Sequence, residues 1–295
     1  MGKTLLFVVF AISIGACYFL YKNLTTNEAL VTVMGATPGE RYYQIDDSKD
    51  DKPPLEFDLV DPECAPEAML TKILYGYQIM LDTRDHTPEY AGNSIDCNCC
   101  HFNGGNTLGG KNRGISLVGV TAMYPKFSKR DNKNITLMDR LDNCYRRSLN
   151  GKPLPHDSLE MESLLSYLAW ISHEVVNAPM LPWLGLEPIV STHVPDAKVG
   201  DKVYYDHCAL CHGNSGEGHI GVPPLWGDNS YNDGAGMNML PMLAPFILLN
   251  MPHGQPILTP EEALDVAAFL ISCPRPHFIK DPSPPVPETE KKEKI

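Results

Sequence analysis

The chain has 295 residues, of which nine are cysteine, and a formal net charge of −12 at pH 7. This length is sufficient for two small domains, each with a core of its own. The negative balance argues against a general binder of nucleic acid or of anionic membranes, because both of these partners are themselves negatively charged.

Residues 1–24 contain Lys3 and then an apolar run over residues 5–20, a pattern typical of an export signal or a short membrane anchor. The sequence Ile14-Gly15-Ala16-Cys17 loosely resembles a lipoprotein cleavage site, although the apolar run continues beyond it. We expect a cleaved signal or a retained anchor in preference to a lipidated N-terminus. All three place the protein outside the cytoplasm, in the periplasm. Residues 25–62 are polar and aperiodic, and we expect a linker or wrapping coil there.

The first of two cysteine motifs follows a helix that apolar spacing predicts over residues 66–80. Cys97, Cys100 and His101 form Cys-x-x-Cys-His, the attachment pattern of a c-type haem. Two thiols one helical turn apart can bond both vinyl groups of one porphyrin, and the next histidine can then bind the iron. Cys99 is an additional thiol that this pattern does not explain.

The same pattern recurs as Cys208, Cys211 and His212. Two copies a domain's length apart make a zinc site or a disulfide a poor explanation. The sequence therefore predicts two covalently bound haem c groups, with His101 and His212 as iron ligands. The fold class that follows is mainly α, with two class-I-like cytochrome c domains that each attach one haem.

Residues 111–152 carry a net positive charge in a negatively charged chain, with ten lysines and arginines against three aspartates. This segment is either a solvated surface or an anion-collecting mouth beside the first haem. Within it a helix is predicted over residues 136–150. Thr136 and Asp139 form a variant of the capping box at its start, and Asn150-Gly151 is a stop signal.

This helix is expected to present Cys144 inward, with Ser148 on the same face and with Arg140 and Arg147 about one turn to either side. A cysteine that faces inward is often only a small core residue. In a basic pocket of a haem domain, however, a thiolate is favoured electrostatically. The first domain also shows no convincing loop methionine for the sixth position of its haem.

Apolar spacing and capping residues predict three further helices, over residues 158–172, 196–206 and 259–271. In small c-type cytochromes the last helix packs across the first, and we expect the same in the second domain. The expected organisation is a first haem domain at residues 63–178, a linker at 179–195, a second haem domain at 196–279 and a disordered tail at 280–295.

The segment Asn143-Cys144-Tyr145-Arg146-Arg147-Ser148-Leu149-Asn150-Gly151-Lys152-Pro153-Leu154 resembles the signature of thiosulfate dehydrogenases, which are tetrathionate-forming dihaem cytochromes c. The resemblance covers roughly residues 65–276, both haem motifs included. Its other matching segments are Gly119-Val120, Tyr124-Pro125, Lys129-Arg130, Pro224-Leu225-Trp226-Gly227, Gly234-Ala235-Gly236-Met237 and Asn250-Met251-Pro252.

The resemblance implies that Cys144 is the distal ligand of the first haem and that Arg130 and Ser148 contact the substrate. It also implies that Met251 is the distal ligand of the second haem. The implied reaction interconverts two thiosulfates and tetrathionate. Electrons pass from the His/Cys-ligated haem to the His/Met-ligated haem, and then to a small c-type cytochrome or a membrane quinol-linked partner.

Some members of this family carry a lysine just before that methionine and exchange the two ligands, whereas this chain has Asn250. Plain ligation by His212 and Met251 is therefore implied, with Met237 as the alternative. A dihaem electron carrier without catalysis and a dihaem peroxidase remain alternative functions. Cys64 and Cys273 lie near the domain ends, where an oxidising compartment would permit a disulfide between them.

Overall fold

A computed structural model describes residues 58–175 and 181–280. The N-terminal apolar run, nearly all of the predicted linker 25–62, and residues 281–295 of the predicted tail lie outside this part of the chain. The α-helices of the described residues are α1 (Glu67–Leu81), α2 (Thr83–His86), α3 (Leu137–Asn143), α4 (Leu159–Trp170), α5 (Ala197–His207), α6 (Ala209–His212), α7 (Leu240–Asn250) and α8 (Pro260–Ser272).

Short elements complete the structure. Strands β1 (Lys126–Ser128) and β2 (Lys133–Ile135) pair antiparallel, with Lys126 opposite Ile135. A single π-helical turn (Cys144–Ser148) continues α3, and the 3₁₀ turns are Pro62–Cys64, Cys97–Cys99, Phe102–Gly105, Val120–Met123 and Gly236–Asn238. The prediction of a mainly α fold is confirmed.

The predicted helix starts are confirmed where a side chain caps the first turn. Thr136 accepts from the backbone N–H of Asp139 over 3.1 Å, and the Asp139 carboxylate accepts in return from the Thr136 backbone over 2.8 Å. Thr259 and Glu262 form the same reciprocal pair at the start of α8. These caps satisfy backbone donors that have no partner within the helix, and so they fix where each helix begins.

The first core is built on a close crossing of α1 and α4. Gly76 of α1 makes this crossing possible, because a Cβ there would lie 2.0 Å from the carbonyl oxygen of Ser163 in α4. Around the crossing lie fully buried apolar side chains, among them Ile73, Ile79 and Leu164. The predicted 66–80 and 158–172 helices are therefore the two walls of one core.

The second core repeats this crossing with α5 and α8, as expected for the first and last helices of a c-type cytochrome domain. A Cβ on Gly200 of α5 would lie 2.0 Å from the carbonyl oxygen of Asp265 in α8. Tyr204, Val266 and Ala267 are buried beside the crossing. Each half of the chain thus has the same helical frame, and the prediction of two class-I-like cytochrome c domains is confirmed.

The helix predicted over residues 136–150 is not α-helical throughout. It is α-helical only to Asn143, and the next turn is a π turn, closed by the Leu149 N–H donating to the Cys144 carbonyl over 3.0 Å. A residue outside the helix donates hydrogen bonds to two carbonyl oxygens of this turn. The Asn232 side chain donates to that of Arg146 over 2.8 Å, and the Asn232 backbone to that of Arg147 over 3.1 Å.

The segment around Asn232 belongs spatially to the first core, although it follows the second haem motif in sequence. Tyr231 and Ala235 are buried in the first core, and Met237 packs against both cores. Asn93 bridges the two halves by donating to the carbonyls of Ser148 and Ser230, over 3.0 Å and 3.1 Å. The two helical frames are therefore joined by a polar seam next to Cys144.

Two further expectations concern segments near the ends of the described chain. Cys64 and Cys273 are free thiols in the structure, so the suggested disulfide between them is wrong for this structure. Across residues 58–175 and 181–280 no helix is both long enough and apolar enough to span a membrane. The apolar run over residues 5–20 is not among them.

Candidate active site

The first Cys-x-x-Cys-His motif is held at the start of a tight turn. Cys97 donates its backbone N–H to the Thr83 hydroxyl over 2.9 Å, and the His101 N–H returns to the Cys97 carbonyl over 2.9 Å. Burial raises the pKa of Cys97 to about 12 and also raises that of Cys100. Both thiols are therefore neutral, and both residues are half-buried.

His101 is fixed in one tautomer. Its Nδ1 lies 2.9 Å from the carbonyl oxygen of Ile115, which can only accept, so Nδ1 carries the proton. Burial lowers the pKa of His101 to about 4, and the charge of Arg140 acts in the same direction. The ring is consequently neutral, and Nε2, the atom that binds a haem iron, makes no hydrogen bond within residues 58–175 and 181–280.

The second motif has the same construction. The Nδ1 of His212 lies 3.0 Å from the carbonyl oxygen of Pro223, and burial lowers the pKa of this buried histidine. Burial also raises the pKa of Cys208 to about 11. Two pairs of free thiols and two oriented neutral imidazoles are the donor sets that covalently bound haem c requires, so the residues fit this cofactor.

Cys144 lies beside a cation. Nη1 of Arg140, one turn earlier on α3, is 3.1 Å from the Cys144 sulfur. The pKa of Arg140 is raised first by its charge interaction with Cys144 and further by its charge interaction and hydrogen bond with Tyr124. Spacing four apart on a helix explains the contact, because such residues lie on the same face.

A lysine that the sequence did not single out extends this cationic surface. Lys126 Nζ lies 4.9 Å from the centroid of the Tyr124 ring, whose hydroxyl pairs with Arg140. Burial lowers the pKa of Lys126, and the charge of Arg140 lowers it further. Lys126, Tyr124 and Arg140 thus form a connected basic surface that reaches the Cys144 sulfur. For Lys126 the only sequence signal was the excess of cations over residues 111–152.

Two further arginines, Arg147 and Arg130, contact Gly234 at the seam between the two halves. Arg147, predicted about one turn from Cys144, is buried, pairs with Asp131 at 3.1 Å and donates from Nε to the side-chain oxygen of Asn143 over 3.3 Å. The guanidinium of Arg130 donates to the carbonyl of Gly234 over 3.0 Å. An ion pair that is already formed inside the protein leaves Arg147 in a structural position, because breaking it would strand a buried charge.

Ser148 and Met251 also have defined positions. Ser148 is half-buried at the end of the π turn that begins with Cys144. Met251 follows the last residue of α7 in extended conformation and packs against the second core. The rival Met237 also packs against the second core, so packing alone does not separate the two candidate ligands.

Two cytochrome-like helical frames and two haem-attachment motifs define a two-domain c-type cytochrome. A family model described as "SoxA/TsdA, cytochrome c domain" matches residues 90–176. A second, described as "Cytochrome C oxidase, cbb3-type, subunit III", matches residues 195–270. Both matches fall on the halves that carry a motif, and they support covalently bound haem c as the cofactor.

Comparison with whole proteins identifies the family. The chain is 35% identical to a thiosulfate dehydrogenase of Allochromatium vinosum over 218 residues, which is 72% of this chain and 81% of that protein. It is 31% identical to a thiosulfate dehydrogenase of Stutzerimonas stutzeri over 284 residues, 94% of this chain and 87% of that one. The chain belongs to the thiosulfate dehydrogenase family and is a haem-dependent oxidoreductase.

A solved structure agrees with this assignment. Thiosulfate dehydrogenase (TsdBA) from Marichromatium purpuratum matches with a TM-score of 0.71 at 28% identity. The match covers 77% of this chain and 51% of that one, so this chain spans about half the length of that structure.

Proposed function

We propose that the protein interconverts two thiosulfates and tetrathionate, with Cys144 as the reacting side chain. The observation that carries the proposal is the 3.1 Å contact between Arg140 and the Cys144 sulfur. A sulfur held against a cation in a haem domain can be both a thiolate and a nucleophile. The relatives named thiosulfate dehydrogenase support the choice of substrate.

Two haem c groups complete the proposed enzyme. Cys97 and Cys100 attach the first and Cys208 and Cys211 the second. His101 and Cys144 would bind the iron of the first haem, and His212 and Met251 would bind that of the second. When bound, each haem would exchange one electron, so two haems match a two-electron reaction. Thiolate ligation lowers the reduction potential of a haem, and methionine ligation raises it.

The bond-forming steps follow from thiolate chemistry. The Cys144 thiolate forms a sulfur–sulfur bond with the outer sulfur of one thiosulfate, and two electrons leave for the acceptor. A second thiosulfate then attacks that same outer sulfur. The bond to Cys144 breaks, tetrathionate is released, and the thiolate is restored with its original charge. Run backwards, these steps split tetrathionate and consume two electrons.

The basic surface lowers the cost of bringing two dianions together. Repulsion between like charges is large where water is excluded, and fixed cations offset it there. Arg140 and Lys126 are placed for this task at the Cys144 sulfur. Arg130 and Ser148 are proposed as further substrate contacts, Arg130 from its position at the domain seam.

Electrons enter or leave through an external redox partner. We propose a small c-type cytochrome or a membrane quinol-linked protein in the periplasm, with the N-terminal segment as export signal or anchor. The potentials of that partner and of the two haems set the physiological direction. The haem of the second domain is the proposed exit, because its methionine ligand gives it the higher potential.

The test uses the purified holo-protein. Thiosulfate should reduce ferricyanide in its presence, tetrathionate should oxidise a reduced viologen dye, and peroxide consumption should be slow. In Cys144→Gly both sulfur reactions should be lost, together with the thiolate-ligated low-spin signal in electron paramagnetic resonance. Cys99→Ser, which removes the extra thiol, is the matched control and should retain both.

Specific outcomes would contradict the proposal. Wild-type protein that turns over neither sulfur compound would be an electron carrier, and rapid peroxide consumption would make it a peroxidase. Survival of the thiolate signal in Cys144→Gly would remove this residue as a ligand. A pyridine haemochrome assay that gives one haem per chain would remove the two-centre mechanism.

A further inference from the structure

The turn that carries Met251 is bracketed by hydrogen bonds from the opposite half of the chain. The backbone N–H of Asn112 donates to the Leu249 carbonyl over 2.9 Å. Its side chain donates to the Gly254 carbonyl over 3.2 Å and accepts from the Gly254 N–H over 3.1 Å. Asn112, a residue of the first domain, therefore forms hydrogen bonds with the chain on both sides of Met251.

A buried hydrogen bond lies next to these contacts of Asn112. Asn250, which is fully buried, accepts the Gly114 N–H over 2.8 Å and donates to the Phe246 carbonyl of its own helix over 3.0 Å. A buried polar group that loses its partner costs free energy, so this pair fixes the distance between Gly114 and the end of α7.

The same loop continues to the iron ligand of the first haem. Ile115, the residue after Gly114, accepts the Nδ1 proton of His101 over 2.9 Å. Phe102, the residue after His101, packs edge-on against His253 with ring centroids 5.1 Å apart. Residues 112–115 therefore contact the proximal ligand of the first haem and the Met251 turn at once.

A methionine ligand needs such support. Its side chain is flexible, and its neutral thioether is a weak donor compared with imidazole or thiolate. The iron–sulfur bond competes with external ligands, and the outcome depends on how often the thioether is presented to the iron. A turn fastened at both ends presents it more often than a free loop, because the ordering cost is already met by the fold.

We propose that residues 112–115 of the first domain hold Met251 on the iron of the second haem, with Asn112 as the positioning residue. This inference rests on the proposed ligation by Met251. It makes the ligand set of the electron-transfer haem dependent on the loop that also orients the ligand of the catalytic haem.

The test is Asn112→Gly in the holo-protein. Asn112 has φ +62°, a left-handed conformation that glycine adopts without strain, so the change removes only the two side-chain bonds. The matched control is Asn132→Gly, at φ +53° in the exposed turn between β1 and β2. Imidazole is added to the oxidised protein while the near-red sulfur-to-iron band is followed.

We expect the imidazole concentration that half-removes the band to fall about tenfold in Asn112→Gly, as two lost hydrogen bonds imply. It should be unchanged in Asn132→Gly, and the midpoint potential of the methionine-ligated haem should also fall only in Asn112→Gly. Asn112→Asp, which keeps the acceptor for the Gly254 N–H, should lie between wild type and glycine. This second variant also covers the case in which Asn112→Gly does not fold.

Equal imidazole sensitivity and equal potentials in wild type, Asn112→Gly and Asn112→Asp would overturn the inference. A wild-type protein without the near-red band would instead remove Met251 as a ligand, and this inference with it. Thiosulfate turnover at Cys144 is scored separately. Its loss in wild type would refute the proposed reaction while leaving the imidazole result valid.

Discussion

Replacing Arg140 by glutamine tests the electrostatic basis of the proposed reaction. Arg140→Gln removes the cation that lies 3.1 Å from the Cys144 sulfur and leaves a shorter, neutral polar side chain. A hydrogen bond to a charged group is typically worth about 1.5–3 kcal/mol. At about 1.4 kcal/mol per factor of ten, kcat/KM for thiosulfate should fall roughly tenfold to a hundredfold.

The assay is thiosulfate-dependent reduction of ferricyanide, with haem content and absorption spectra measured in parallel. Arg140→Lys retains the charge but not the planar guanidinium, and its rate should be intermediate. Lys72→Gln removes a cation from an exposed pair with Glu162, and it should change the rate little. If Arg140→Gln stays within twofold of wild type, the contact with Cys144 is structural and the electrostatic argument is wrong.

Two further predictions concern the fold and the second haem. Gly76→Ala puts a Cβ 2.0 Å from the carbonyl oxygen of Ser163, and it should lower the free energy of unfolding in urea by about 2 kcal/mol or more. The control Gln78→Ala, on the exposed side of α1, should be nearly neutral. A Gly76→Ala protein as stable as wild type would show that the α1–α4 crossing can relax. Met251→Gly should abolish the near-red band of the oxidised protein and lower that haem's potential, while Met237→Gly should preserve both; the reverse result would exchange the two ligand assignments.

Most of the helical frame was predictable because its signals are local. The helices predicted over residues 66–80 and 259–271 occur at Glu67–Leu81 and Pro260–Ser272. Apolar periodicity sets the buried face, and Thr259 with Glu262 sets the start of α8. The haem motifs were equally local, since their five-residue spacing is dictated by one porphyrin.

The π turn at Cys144 was not predictable, because the residue that binds its carbonyl oxygens is distant in sequence. Asn232 takes the carbonyls of Arg146 and Arg147, and the periodicity of residues 136–150 contains no trace of this contact. The ion pair of Arg147 was not predictable for a similar reason. Helical spacing places Arg147 about one turn from Cys144, but it does not show that the guanidinium pairs with the carboxylate of Asp131.

The seam beside Cys144 limits how such a protein can be rearranged by recombination or by engineering. Cytochrome domains are often treated as interchangeable modules, joined wherever a linker permits. Here Asn232 and Gly234, supplied by the second half of the chain, bind the backbone of the π turn and the guanidinium of Arg130. A chimera that replaced residues 195–280 by an unrelated cytochrome would lose these partners. The second half must therefore be kept together with the turn of Cys144, to which it donates hydrogen bonds.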